Sequence, residues 1–127
     1  MSTGYWFRGR LSFASESAIG AARDELEEGG ARTSPDNPFR DRELPIVDRV
    51  LTLEERGWMP YTCLEIACWV LGTWARHAAQ GELLVLYTQD GYGLRIPAGG
   101  EDEELEPEEV DALLEQWSHE SGTSSAR

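Results

Sequence analysis

PYTCLEIACWVLGTWARHAAQG, residues 60–81, is the stretch that decides the architecture. From Cys63 to Trp74 almost every side of a helix drawn through it is apolar: Cys63, Leu64, Ile66, Ala67, Cys68, Trp69, Val70, Leu71 and Trp74. Such a helix lies in a core or in a membrane. The run contains Glu65 and Gly72 and gives way to Arg76 and His77, short of the roughly 20 residues a span needs. The stretch therefore predicts the central helix of a soluble domain. Thr62 and Glu65 have capping-box spacing at its start, and Gly81 has the character of a left-handed cap at its end.

On the N-terminal side, Tyr5–Phe13 alternates. Tyr5, Phe7, Leu11 and Phe13 share one face, and Trp6, Arg8, Arg10 and Ser12 the other. Period two predicts a half-buried strand, with Trp6 the odd residue on its polar side. Ser15 or Ser17 opens a helix with Ile19, Ala22 and Leu26 on its apolar stripe, closed by Gly29–Gly30. Residues 31–42 read as a loop around Pro35 and Pro38, with Phe39 tucked inward. Leu44–Met59 is ambiguous. Its apolar period suits a helix, whereas its β-branched residues and an Asp48–Arg49 turn suit two short strands. Strands are preferred, because another helix would leave too small a sheet to cover the central one.

On the C-terminal side, Leu83–Thr88 and Tyr92–Pro97 flank Asp90–Gly91, a dipeptide suited to a two-residue type I′ hairpin. Residues 101–109 then lead into a short helix, with Pro107 at its first position and Val110, Leu113, Leu114 and Trp117 at helical spacing. Residues 118–127 read as a disordered tail. The expected fold is one α+β domain over residues 1–117. It has an antiparallel sheet of about five strands, two helices on one face (ferredoxin-like or a related sandwich) and a short C-terminal helix.

Charge narrows the function. There are 24 acids against 11 bases, a net charge of −13, and every base is arginine. Residues 1–60 hold eight arginines and eleven acids, while residues 61–127 hold three and thirteen. This balance disfavours nucleic acid and anionic membranes and favours basic partners. The N-terminal residues lack the apolar stretch of a signal peptide, and two cysteines five apart make no disulfide framework, so a cytoplasmic address is expected.

No catalytic set emerges. His77 near the helix end reads as a packed or dipole-complementing side chain, and His119 falls in the expected tail. Cys63 and Cys68 point about 140° apart on a helix and cannot share a metal. The capping box accounts for Glu65. Gly91-Tyr92-Gly93 and Gly99–Gly100 match no phosphate loop, and the acidic run lacks the pattern of a calcium loop, so no cofactor is expected.

Two features suggest binding instead. One is the acidic run Glu101, Asp102, Glu103, Glu104, Glu106, Glu108 and Glu109, continued by Asp111 and Glu115. The other is the aromatic set Trp6, Trp58, Tyr87 and Tyr92, of which Trp6, Trp58 and Tyr92 are taken as interface anchors. The expectation is a non-enzymatic acidic protein-binding domain. Its sharpest form is an inhibitor or immunity protein that blocks a basic partner such as a bacterial nuclease toxin. One alternative is a self-associating structural or regulatory domain, with a homodimer as its form. The other is a small enzyme or ligand-binding domain using Cys63, Glu65 or His77 beside the central helix.

Overall fold

A computed structural model describes the backbone of residues 2–125, and the side chains of that range apart from 117 and 120–125. In chain order the elements are β1 (Ser2–Ser12), α1 (Glu16–Glu28), β2 (Ile46–Val47), β3 (Val50–Pro60), α2 (Tyr61–Arg76), β4 (Gln80–Tyr87), β5 (Tyr92–Pro97), β6 (Glu103–Glu104) and α3 (Pro107–Ser125). The strands form one antiparallel sheet in the order β2-β3-β1-β4-β5-β6. Up to β4 the chain follows the split βαβ pattern of ferredoxin-like folds. β5 and β6 widen the sheet on the β4 side.

β1 is the axis. All eleven of its residues pair with β3, and Tyr5–Ser12 also pair with β4. Its odd-numbered side chains Tyr5, Phe7 and Leu11 enter the main core, with Leu51, Leu53, Leu83, Val85 and Ile96 from neighbouring strands. α1 adds Ile19, Ala22 and Leu26, and α2 adds Leu64, Ala67, Val70, Leu71 and Trp74. Each large side chain here contributes about 1.5–3 kcal/mol on burial. α2 is less enclosed than its composition suggests, since Trp69 remains 36 % exposed.

The second sheet face holds a correction. Trp6, expected on a polar face as an interface anchor, is only 8 % exposed. It packs with Leu86, Leu105 and Val110 in a small separate core, flanked by Leu84, Leu113 and Leu114. α3 has crossed behind the sheet to make it. Gly93 permits the approach, because a Cβ there would lie 2.6 Å from Leu86 and 3.3 Å from Val110. Helix α3 also runs to Ser125, so the expected tail is helical over 118–125. The Trp117 side chain lies outside the described residues, as do residues 126 and 127.

Local signals resolve similarly. Ser15 caps α1 by accepting a hydrogen bond from Ala18 N at 3.2 Å. The helix closes through Gly30 (φ +81°), with Gly30 N donating to Glu27 O and Ala31 N to Leu26 O, the paired bonds of a Schellman motif. The expected Thr62–Glu65 capping box does not form. β3 runs directly into α2 through an extended Pro60 at the N-cap, without a side-chain cap bond. Nor does Gly81 cap α2, which ends at Arg76 with His77 beyond it. Gly81 (φ +103°) lies inside β4, paired with Leu11 of β1 and close against the Arg10 carbonyl. The two-residue hairpin turn sits at Asp48–Arg49, both at positive φ (52° and 64°), as type I′ requires. At Asp90–Gly91 the loop is longer: Tyr87 pairs with Tyr92 across residues 88–91, and both Asp90 N and Gly91 N donate to Tyr87 O.

Candidate functional site

The acidic run becomes one edge of the sheet. Glu103 and Glu104 form β6 against Arg95 and Leu94. Leu105 N donates to Gly93 O at 2.9 Å while its side chain buries beside Trp6, pinning the segment between the sheet and α3. Glu106 O then accepts from Glu109 N and Val110 N, forming the first turn of α3. Within this scaffold Glu109 differs from the rest. Its carboxylate takes Arg95 Nη2 at 2.6 Å, and Arg95 Nε reaches Glu82 at 3.2 Å. Glu101, Asp102, Glu103, Glu104, Glu106 and Glu108 are exposed, and none forms an ion pair within 4 Å among the described residues. Partial burial raises the Asp102 carboxyl above the usual carboxylate range, opposed by Arg76 and reinforced by Glu101.

The aromatic anchors scatter. Tyr92 is half-buried behind the acidic edge, with its ring edge-on to Tyr87 at 5.1 Å. Its phenol is raised by burial first and by the nearby Glu104 next. Trp58 is 65 % exposed on β3. That strand stands four positions from β6, about 19 Å at ~4.8 Å per strand. Trp6 is enclosed, with the Arg56 guanidinium 5.0 Å from its ring. The structure therefore gathers the acids, leaves Tyr92 partly accessible behind them, and separates Trp58.

The candidates for chemistry are not gathered. Glu65 and His77 are twelve residues apart, about 18 Å along the helical path. His77 Nε2 meets Glu25 Oε1 of α1 at 2.8 Å, and Arg76 holds the other Glu25 oxygen, so His77 helps tie α1 to α2. Cys68 Sγ lies 3.9 Å from the Tyr87 hydroxyl. Burial pushes this thiol up to about 11, only partly countered by that hydrogen bond, so it stays protonated at neutral pH. No cluster of three metal-ligating side chains occurs among the described residues.

One cleft was not visible in the sequence. Between α1, α2 and the 31–45 loop lies a cavity of about 230 Å3, lined by Arg23, Arg32, Arg40 and Arg42 over apolar side chains. The arginines are spread over twenty residues of helix and loop, so neither spacing nor motif marks them. The available hint is charge: eight of the eleven arginines fall in the first sixty residues. Comparisons with protein-family models, curated proteins and solved structures found no match to this chain.

Proposed function

We propose that this chain is a non-enzymatic binding domain whose acidic edge receives a basic protein. An inhibitor or immunity protein in the cytoplasm that covers the basic groove of a nuclease toxin would act in this way. The supporting observation is the set of six exposed carboxylates, at Glu101, Asp102, Glu103, Glu104, Glu106 and Glu108, on a sheet edge and helix start, with no ion pair within 4 Å among the described residues. Carboxylates on adjacent exposed residues are separated by about one Debye length or less, roughly 8–10 Å, so their fields add toward a partner. Such a field raises association rates and selects for opposite charge. Among the described residues no helix is long and apolar enough to cross a membrane.

The test is capture of partners from the native cell's lysate at low and high salt, followed by kinetics with the partner identified. Replacing the six acids by their amides should slow association and flatten its salt dependence. An unchanged rate and salt slope would refute the acidic-edge reading.

A second reading, self-association, has its own observation. β2 covers β3 only as far as the bond from Thr52 N to Pro45 O. Antiparallel alternation then turns the N–H and C=O groups of Glu54, Arg56 and Trp58 outward, beside the exposed Trp58 ring. Open edges of this kind accept another strand. Sedimentation across a wide concentration range would detect the dimer, and Trp58→Ser should weaken it. A monomer at every concentration would eliminate this reading.

A further inference from the structure

We propose that the cleft between α1, α2 and the 31–45 loop binds a small organic anion, an aromatic carboxylate whose flat body enters the cleft and whose acid group meets its arginine rim. The floor is apolar and already formed: Leu26, Phe39, Val70 and Trp74 are each less than 10 % exposed. The loop above is held in place. Buried Asn37 donates from Nδ2 to Ala31 O at 2.8 Å and accepts from Phe39 N at 2.9 Å. Phe39 in turn packs 5.9 Å from Phe7 of the central strand. A cavity whose walls are fixed this way spends little free energy on ordering when it is occupied.

The rim is where charge and packing disagree. In a chain of net charge −13, four arginines line this cleft, and among the described residues the lining carboxylates are Glu27 and Glu43. Arg23 lies 5.9 Å from the Trp74 ring and has no carboxylate within ion-pair range among the described residues. Among the described residues Arg40 pairs with its chain neighbour Asp41 alone, at 3.3 Å. Arg32 reaches Glu27 at 3.8 Å, with both side chains largely in solvent, a pair that contributes little. Arg42 is engaged by Glu55 at 2.8 Å and lies 4.9 Å from the Phe39 ring. A guanidinium stacked on a ring uses its face and keeps its in-plane N–H donors, which fit a carboxylate in bidentate fashion. Arg23 and Arg40 are therefore the available donors, while Arg42 adds fixed positive charge. A volume of about 230 Å3 is below the ~300–1,000 Å3 of drug-sized pockets, which limits the ligand to one or two rings.

The experiment is calorimetric titration of the full chain with 2-naphthoate, alongside neutral 2-naphthalenemethanol and inorganic phosphate. The expected result is saturable one-to-one binding of naphthoate that is at least roughly tenfold tighter than either comparison probe. Losing one charge-assisted hydrogen bond weakens binding roughly tenfold or more. Arg23→Gln and Arg40→Gln should therefore each weaken naphthoate roughly tenfold or more, while Arg10→Gln, an exposed change on the other sheet face, leaves it unchanged. Both rim side chains are exposed, and unchanged circular dichroism and melting would show each variant folded. Absence of saturable naphthoate binding overturns the proposal, and so does equal binding in the Arg23 and Arg40 variants. The neutral alcohol binding as well as the acid would remove the arginines' role, and phosphate binding as well would remove the aromatic floor's.

Discussion

Val110→Ala tests whether α3 is a separately anchored cover on the sheet. Val110 is fully buried, between Trp6, Leu86 and Leu105. The substitution removes two methyl groups, worth about 1.6 kcal/mol at ~0.8 kcal/mol each. The void left beside Gly93 brings the cost to about 2–3 kcal/mol. α3 and the segment before it are held by this small cluster and by the Arg95–Glu109 bridge, so the loss should fall on their local opening rather than on global unfolding. Hydrogen exchange followed by mass spectrometry reads this directly. Peptides covering residues 105–116 should exchange roughly 30- to 150-fold faster, at one decade per 1.4 kcal/mol, while β1 and β3 keep their wild-type rates. Uniform acceleration along the chain would show that α3 belongs to the same cooperative unit as the main core. No acceleration would show that Val110 does not hold it. Because Glu106 and Glu108 belong to the start of this helix, the same variant should also weaken any partner bound at the acidic edge.

Further expectations concern the backbone, the caps and alkaline pH. Gly81→Ala should cost more than 2 kcal/mol in a denaturant melt, since φ is +103° and a Cβ would strike the Arg10 carbonyl. Ser15→Ala should cost about 1 kcal/mol through loss of its cap bond to Ala18 N. Thr62→Ala, with no cap bond to lose, should stay within about 0.5 kcal/mol in the same assay. The Cys68 thiol is raised to about 11 by burial, from about 8.5–9 in an unfolded chain. The folded state thus keeps a proton that the unfolded state releases, so this contribution is intact below about pH 9 and lost as pH rises toward 11. Burial raises the Tyr5 and Tyr87 phenols too. Cys68→Ala should therefore make the alkaline fall in melting temperature shallower without abolishing it, and an unchanged profile would contradict the assignment.

Much of the sheet was legible because its signals are local. Alternation marked β1, whereas in 44–59 the local signals were divided and the preference for two strands came from the need for a sheet large enough to cover α2. What stayed hidden depended on distant partners. Trp6 looked misplaced until α3 brought Val110 and Leu105 behind the sheet. The one available hint was Leu83-Leu84-Val85-Leu86, apolar on both phases, the mark of a strand buried on both faces. Thr62 and Glu65 matched a capping box, but β3 enters α2 through Pro60 with no side-chain cap. The acidic edge was readable as composition. The arginine cleft was not, because its rim comes from α1 and a long loop that become neighbours only when Asn37 and Phe39 fix the loop against the core.

The central position of β1 also sets a schedule for folding. Its two neighbours are Val50–Pro60 and Gln80–Tyr87, so the middle of the sheet cannot close until residues far along the chain exist. At roughly 5–20 residues per second during synthesis, the gap from Ser12 to Tyr87 amounts to about 4–15 s. Val50–Pro60 gives β1 its first partner part-way through that interval, but the other side of β1 stays open until Gln80–Tyr87 follows, whereas α1, a local structure, can form at once. The sheet is thus completed late in synthesis, with one edge of β1 uncovered until β4 arrives.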